Sequence, residues 1–153
     1  MDNFKLILNS NNGIGSNPNS LSYFYDFSQH EEGVYELTFS YCGGDNDIDP
    51  SQPAEVFISF NTLRSFACQV NNGGQAGAVS TNHIGLLYPI YLSATNGYLR
   101  ANMSDNTSSY LRRPYINTFS VNILTRAGVP YTDANSQNLA SYILVLSFKK
   151  IAS

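Results

Sequence analysis

Thr118-Phe119-Ser120-Val121-Asn122-Ile123-Leu124-Thr125 and Tyr142-Ile143-Leu144-Val145-Leu146-Ser147-Phe148 decide the fold class of this chain. In the first stretch Phe119, Val121 and Ile123 alternate with Ser120 and Asn122. That period of two puts apolar side chains on one face of an antiparallel strand. In the second, Tyr142, Leu144, Leu146 and Phe148 alternate with Ile143, Val145 and Ser147. Both faces are apolar until Ser147, as expected of a strand lying centrally in a sheet. Between them Arg126-Ala127-Gly128-Val129-Pro130 and the polar run from Thr132 to Asn138 form a turn-rich loop. A chain that ends by placing its last segment inside a sheet folds as a closed β-architecture.

Working outward, Tyr35, Leu37, Phe39 and Tyr41 against Glu36, Thr38 and Ser40 make the cleanest alternation in the chain. They are expected to share a core with Phe119, Val121 and Ile123. Phe4 to Leu8 reads as a short first strand, and Asn9 to Ser20 as a loop rich in Asn, Gly and Ser. Val56–Phe60, Leu63–Val70, Tyr98–Ala101 and Tyr110–Arg112 read as further strands. Ile84–Leu92 is apolar on both faces and interrupted by Pro89, which implies an edge or a bulge. About nine strands with no sustained helical period imply an all-β protein. The expected fold is a single jelly-roll antiparallel β-sandwich of about eight to nine strands spanning residues 1–153. Residues 1–20 form either an ordinary first strand or an N-terminal arm that adds to a neighbour's sheet.

Only 12% of the 153 residues are charged, against roughly 25% in ordinary soluble domains. Asn and Ser carry the polar burden, and 11 Tyr and 9 Phe, with no Trp, supply the aromatic core. Low charge suits a protein packed against neighbours, because charge is depleted at the centre of such contacts. The net charge of -3 is uneven: residues 1–55 hold nine acidic side chains and one Lys, while residues 56–153 hold seven basic and two acidic ones. Interleaved strands would mix these charges; segregated ones would make an acidic and a basic face. No dense basic run supports direct nucleic-acid binding. No apolar run approaches the roughly 18 residues of a membrane-spanning helix. Phe4–Leu8 is too short for the apolar region of a signal peptide, so synthesis in the cytoplasm is expected.

Motifs for chemistry are weak. Asp45, Asp47 and Asp49 place carboxylates at alternate positions, as a calcium loop begins, but Pro50 stands where the turn Gly belongs and Val56 where the closing Glu belongs. A solvated acidic turn is expected there, with calcium the one ion to consider. His30 and His83 sit in no ligand-spaced cluster, and no G-x-S-x-G nucleophile turn occurs. Gly73-Gly74-Gln75-Ala76-Gly77 lacks phosphate-loop spacing. No cofactor and no catalytic residue are therefore expected. Cys42 and Cys68 read as buried free thiols, or as a disulfide if their strands are neighbours. Arg112-Arg113 either caps a strand end or meets an acidic partner. Tyr23, Phe24, Tyr25 and Phe27 cannot all face one core. Either both faces of that strand are covered, or one carries an apolar patch that needs a partner. The interface candidates are Phe4, Leu6, Leu8, Tyr23, Tyr25, Arg112 and Arg113.

One resemblance adds to this reading. Tyr110-Leu111-Arg112-Arg113-Pro114 is followed by Asn117, Phe119, Val121 and Ile123, then by Gly128 with Thr132 and Asp133. The pattern closes on Tyr142, Leu144, Leu146 and Phe148. This resembles the C-terminal part of small jelly-roll capsid proteins of the virophage, polinton-like and giant double-stranded DNA virus lineage. Tyr35–Tyr41 resembles an early core strand of the same proteins. The match covers about a third of the chain and consists largely of strand pattern. It implies a virion structural protein of minor-capsid, cement or penton type that packs against other capsid subunits, as a homo-oligomer or within a larger shell. The chain is short for a penton with an added outer domain, which favours the minor or cement role. A different class remains open: a carbohydrate- or receptor-binding β-sandwich, trimeric in the manner of tumour-necrosis-factor-like heads. A cupin-like enzyme would need a His/Glu metal cluster, and the two separated His residues count against it.

Overall fold

The two C-terminal stretches become β10 (Thr118–Thr125) and β11 (Tyr142–Ala152). The computed structural model describes residues 2–44, 54–60, 63–65, 83–93, 96–101, 108–125, 127–132 and 139–153. The other strands are β1 (Asn3–Asn9), β2 (Ile14–Asn17), β3 (Ser20–Phe24), β4 (Val34–Gly43), β5 (Ala54–Ser59), β6 (Leu63–Ser65), β7 (His83–Tyr91), β8 (Gly97–Ala101) and β9 (Ser109–Arg112). All pairings between them are antiparallel.

The strand order runs β1-β11-β4-β8-β7-β5-β10-β3-β2. The hairpin β7–β8 divides it into two halves, β1-β11-β4-β8 and β7-β5-β10-β3, which is the strand order of a jelly roll. β9 pairs with the first half of β4 and with β6. β11 lies between β1 and β4, as its two apolar faces require. β10 and β11 do not pair with each other; the connection between them crosses from one half to the other.

Parity decides which residues enter the core. Tyr35, Leu37, Phe39 and Tyr41 of β4, and Tyr142, Leu144, Leu146 and Phe148 of β11, all point inward. They meet Phe119, Val121 and Ile123 of β10, together with Val56 and Ile58 of β5, in one buried cluster. The register pairs Leu146 with Phe39 and Val121 with Ile58. A slip of one residue would turn each set outward, so burial fixes the register.

Three expectations change. Asn9–Ser20 is not a bare loop. Ser10–Asn12 forms a 3-10 turn whose cap is the Asn9 side chain, accepting from the Asn11 N–H at 2.9 Å, and β2 follows it. The segment is fastened to distant strands, because the Tyr142 N–H donates to Ser10 Oγ (2.9 Å) and Asn19 Nδ2 donates to the Tyr131 carbonyl (2.8 Å). Cys42 is not buried: it is a free thiol on the outer face of β4, since that strand sends its odd-numbered residues inward. Tyr25 and Phe27 do not extend β3. The chain leaves the strand after Phe24 and turns through a 3-10 segment, Phe27–Gln29, capped by Asp26, which accepts from the Ser28 N–H at 3.0 Å. Asp side chains stabilise such turns by replacing a backbone acceptor.

Pro89 is accommodated as expected of an edge position. It pairs with Leu99 of β8, past Leu87, the last residue of β7 paired with β5. Cys68, Asp45, Asp47 and Asp49 lie outside the described residues.

Candidate functional site

β1 and β2 end the strand order, and β1 is the longer of the two free edges. The Lys150 N–H donates to the Asp2 carbonyl at 3.3 Å, so residues 2 and 150 form a hydrogen-bonded pair. Antiparallel alternation then bonds Phe4, Leu6 and Leu8 to Phe148, Leu146 and Leu144. The N–H and C=O groups of Asn3, Lys5, Ile7 and Asn9 consequently point off the edge. The same argument applies to β3, where the Tyr25 N–H donates to the Asn117 carbonyl at 2.8 Å. The backbone groups of Ser20, Ser22 and Phe24 therefore face away from β10. β2 pairs with Ser20 and Ser22, and its pairing stops before Phe24.

Between these two edges the sandwich is open. A groove of about 460 Å³ runs between β1 and β3, with Ile7 on one side and Ile14 and Phe24 on the other. Those three side chains are 71%, 76% and 73% exposed. In the described residues no other large apolar side chain except Tyr115, at 78%, is as open. The Tyr23 hydroxyl donates to the Asn9 carbonyl at 3.3 Å across one end of the seam. On the outer face of the same sheet, Ile7 lies beside Val145 and Asn9 beside Ile143, which is itself 42% exposed. An apolar stripe therefore runs from β11 to the open edge.

The other end of the seam is closed by a polar and aromatic clasp. Asp2 Oδ2 lies 3.3 Å from His30 Nδ1, and His30 Nε2 lies 2.6 Å from the Tyr25 hydroxyl. Asp2 also accepts from the Glu31 N–H (2.9 Å) and from the Tyr35 hydroxyl (3.2 Å). The Phe4 ring stacks on the His30 imidazole at 3.5 Å and on Phe148 at 4.5 Å. The Glu31 N–H is the main reason that Asp2 sits below the usual carboxylate range, and the nearby His30 adds to it. Burial, helped by the Asp2 carboxylate, pushes Tyr35 up to about 12. Burial also raises Tyr25, so both phenols keep their protons at neutral pH. The Tyr25 hydroxyl and His30 Nε2 share one hydrogen bond whose donor follows the imidazole tautomer, and Nδ1 faces Asp2. The order carboxylate–imidazole–hydroxyl is that of an oriented base. Here Asp2 stands at the start of β1 while His30 and Tyr25 belong to the connection after β3, so the cluster ties those two segments together. Around it Lys150 Nζ pairs with Glu31 at 2.7 Å, and Arg113 pairs with Glu32 and donates to the His30 carbonyl at 2.6 Å.

A second imidazole–carboxylate contact, His83 Nε2 to Glu55 at 3.6 Å, sits where β5 pairs with β7. Burial raises Glu55 and lowers His83, so both lean toward their neutral forms.

These positions sort the interface candidates. Leu6, Leu8 and Tyr23 are buried in the chain's own core, and Phe4 and Tyr25 pack against it. β1 is thus a strand of its own sheet, and its inward residues are not available to a neighbour. Arg113 is engaged with the turn before β4, while Arg112 is the exposed end of β9. The basic residues Arg113 and Lys150 meet acidic residues of the first third, so charges from the two halves mix here. Ile7, Ile14 and Phe24 surround the groove instead. None of the three is among the interface candidates of the sequence, although Phe24 lies in the aromatic run Tyr23–Phe27 and Ile7 in the strand Phe4–Leu8. Ile7 carried a signal too: it is the one large apolar residue in Phe4–Leu8 on the wrong parity for the core.

Among the described residues, no three His, Cys, Asp or Glu side chains converge as metal ligands. No helix among them is long and apolar enough to cross a membrane. Comparison of the chain with protein-family models, curated proteins and solved structures finds no match.

Proposed function

We propose that this chain is a non-enzymatic structural protein of a virion, a jelly roll of minor-capsid, cement or penton type that packs against other capsid subunits. The observation that carries this reading is the open seam. Ile7, Ile14 and Phe24 stand more than two-thirds exposed around one groove, next to a strand edge where Lys5 and Ile7 have no neighbouring strand on their outer side. Apolar surface gathered in this way is costly in water and is normally buried by a partner. Low overall charge, 12% of residues, leaves little electrostatic opposition to close packing. The capsid-like pattern from Asn117 to Phe148 supports the choice of a viral shell as the setting.

The test is quantitative mass spectrometry of gradient-purified virus particles from the source of the sequence. The expected result is this chain at a fixed ratio to the major shell protein, resistant to a salt wash. Its absence from particles, together with specific binding on a glycan array, would replace this reading with the carbohydrate- or receptor-binding one.

A further inference from the structure

We infer that the β1 edge is a self-pairing surface, occupied by β1 of a second copy of this chain in an antiparallel arrangement whose two-fold axis passes at Ile7. The inference rests on the assembly reading above and adds the identity of the partner.

The edge itself is the first argument. β1 is seven residues long, contains no Pro or Gly, and keeps an unbroken register along β11. Edge strands of stable monomers are usually short, bulged, or protected by Pro or by charges, Lys above all. Here Lys5 is the sole charge from Asn3 to Asn9. The competing edge, β2, has four residues and a register shift, and offers far less to a second strand.

Self-complementarity is the second. The outward backbone groups are those of Asn3, Lys5, Ile7 and Asn9; the Asn9 carbonyl already accepts from the Tyr23 hydroxyl and keeps a second lone pair, so two copies pair odd residue to odd residue. With the axis at Ile7, Ile7 faces the partner's Ile7 and Lys5 faces the partner's Asn9. The two lysines are then separated along the ladder, and no like charges lie directly opposite. The stripe Ile143–Val145–Ile7 on the outer face becomes continuous across the axis and covers the 71% exposure of Ile7. A closed two-fold contact of this kind makes a dimer and not a fibre.

The test uses the full chain with Cys42→Ser and Cys68→Ser. Sedimentation should show a dimer, and Ile7→Lys should shift it to a monomer that still melts cooperatively, at a temperature that no longer depends on protein concentration. In the same background Ile7→Cys should cross-link under copper–phenanthroline at least about tenfold faster than Ile14→Cys, whose site is equally exposed across the groove. A monomeric parent, equal cross-linking at both sites, or a dimer that survives Ile7→Lys would overturn the inference. So would a monomer whose β1 amides become protected from hydrogen exchange only when another shell protein is added, because the occupant is then a different chain. A dimer in solution that is absent from particles would leave the self-pairing intact and remove the shell reading. A monomer found in particles would do the reverse.

Discussion

The two ends of the seam contrast sharply along a single strand. At its start β1 is clasped: Asp2 is held by Glu31, His30 and Tyr35, and Phe4 is stacked between His30 and Phe148. From Lys5 to Asn9 the same strand is sealed only on its inner side, where Leu6 and Leu8 enter the core. The outer backbone groups of Lys5 and Ile7, and the Ile7 side chain, face the open groove, while the Asn9 carbonyl accepts from the Tyr23 hydroxyl. Even-numbered residues thus hold β1 to its own sheet, Asn3 and Asn9 tie down its two ends, and the backbone of Lys5 and Ile7 remains for a partner. Because a strand alternates both its side chains and its hydrogen-bonding direction, the two uses do not compete.

The largest effect that would break this comparison is removal of the strand. Deleting residues 1–12 takes away Leu6, Leu8 and the ladder to β11, so a cooperative thermal transition should be lost. A deleted chain that melts like the parent would show that β1 is a dispensable arm. Next in size are core truncations. Leu6→Ala should cost about 2–4 kcal/mol in denaturant unfolding, and Phe39→Ala about 3–5 kcal/mol. Ile7→Ala, one residue along, should stay within about 0.5 kcal/mol. Equal losses at residues 6 and 7 would mean that the parity assigned to β1 is wrong.

The clasp is worth less. His30→Ala removes the hydroxyl contact with Tyr25 and the stacking partner of Phe4, and should cost roughly 1–3 kcal/mol. Its effect should appear first as faster amide exchange at the start of β1, with the centre of β4 unaffected. An unchanged exchange pattern would show that the clasp does not anchor the strand.

Stability should fall at both extremes of pH, for different reasons at the same cluster. Asp2 is depressed in the folded chain, chiefly by the Glu31 N–H. Its contribution is therefore complete above the unfolded carboxylate value of about 4 and is lost as pH falls through the folded value. Tyr35 is raised to about 12, chiefly by burial. Its contribution is complete below the unfolded tyrosine value of about 10 and disappears as pH rises from there to about 12. Melting curves across this range should show Asp2→Asn flattening the acid side and Tyr35→Phe flattening part of the alkaline side. Wild-type slopes in both variants would remove the clasp from the pH response.

Much of the architecture was legible in the order of residues. The period-two runs at Tyr35–Tyr41, Phe119–Ile123 and Tyr142–Phe148 identified core strands, because a half-buried strand must alternate. The two apolar faces of the last run placed it inside a sheet. Other features were not legible. Asn9–Ser20 looked like a loop because its composition is that of a turn, yet Ser10 and Asn19 are bonded across more than a hundred residues. Cys42 continued an apolar run and looked buried; parity alone turned it outward.

The sequence by itself determined which residues alternate, and hence an all-β chain with an aromatic core and few charges. Tertiary structure decided which strands become edges, because edge status depends on what lies beside a strand and not on its own composition. It also decided that Asp2, Tyr25 and His30 meet and that Ile7 and Phe24 line one open groove. Asp2 and His30 are separated by three strands and two 3-10 turns, and Ile7 lies on the first strand of the strand order while Phe24 lies on the last but one. No local spacing carries such a contact: it exists only once the sheet has curled far enough to bring its first and last strands together.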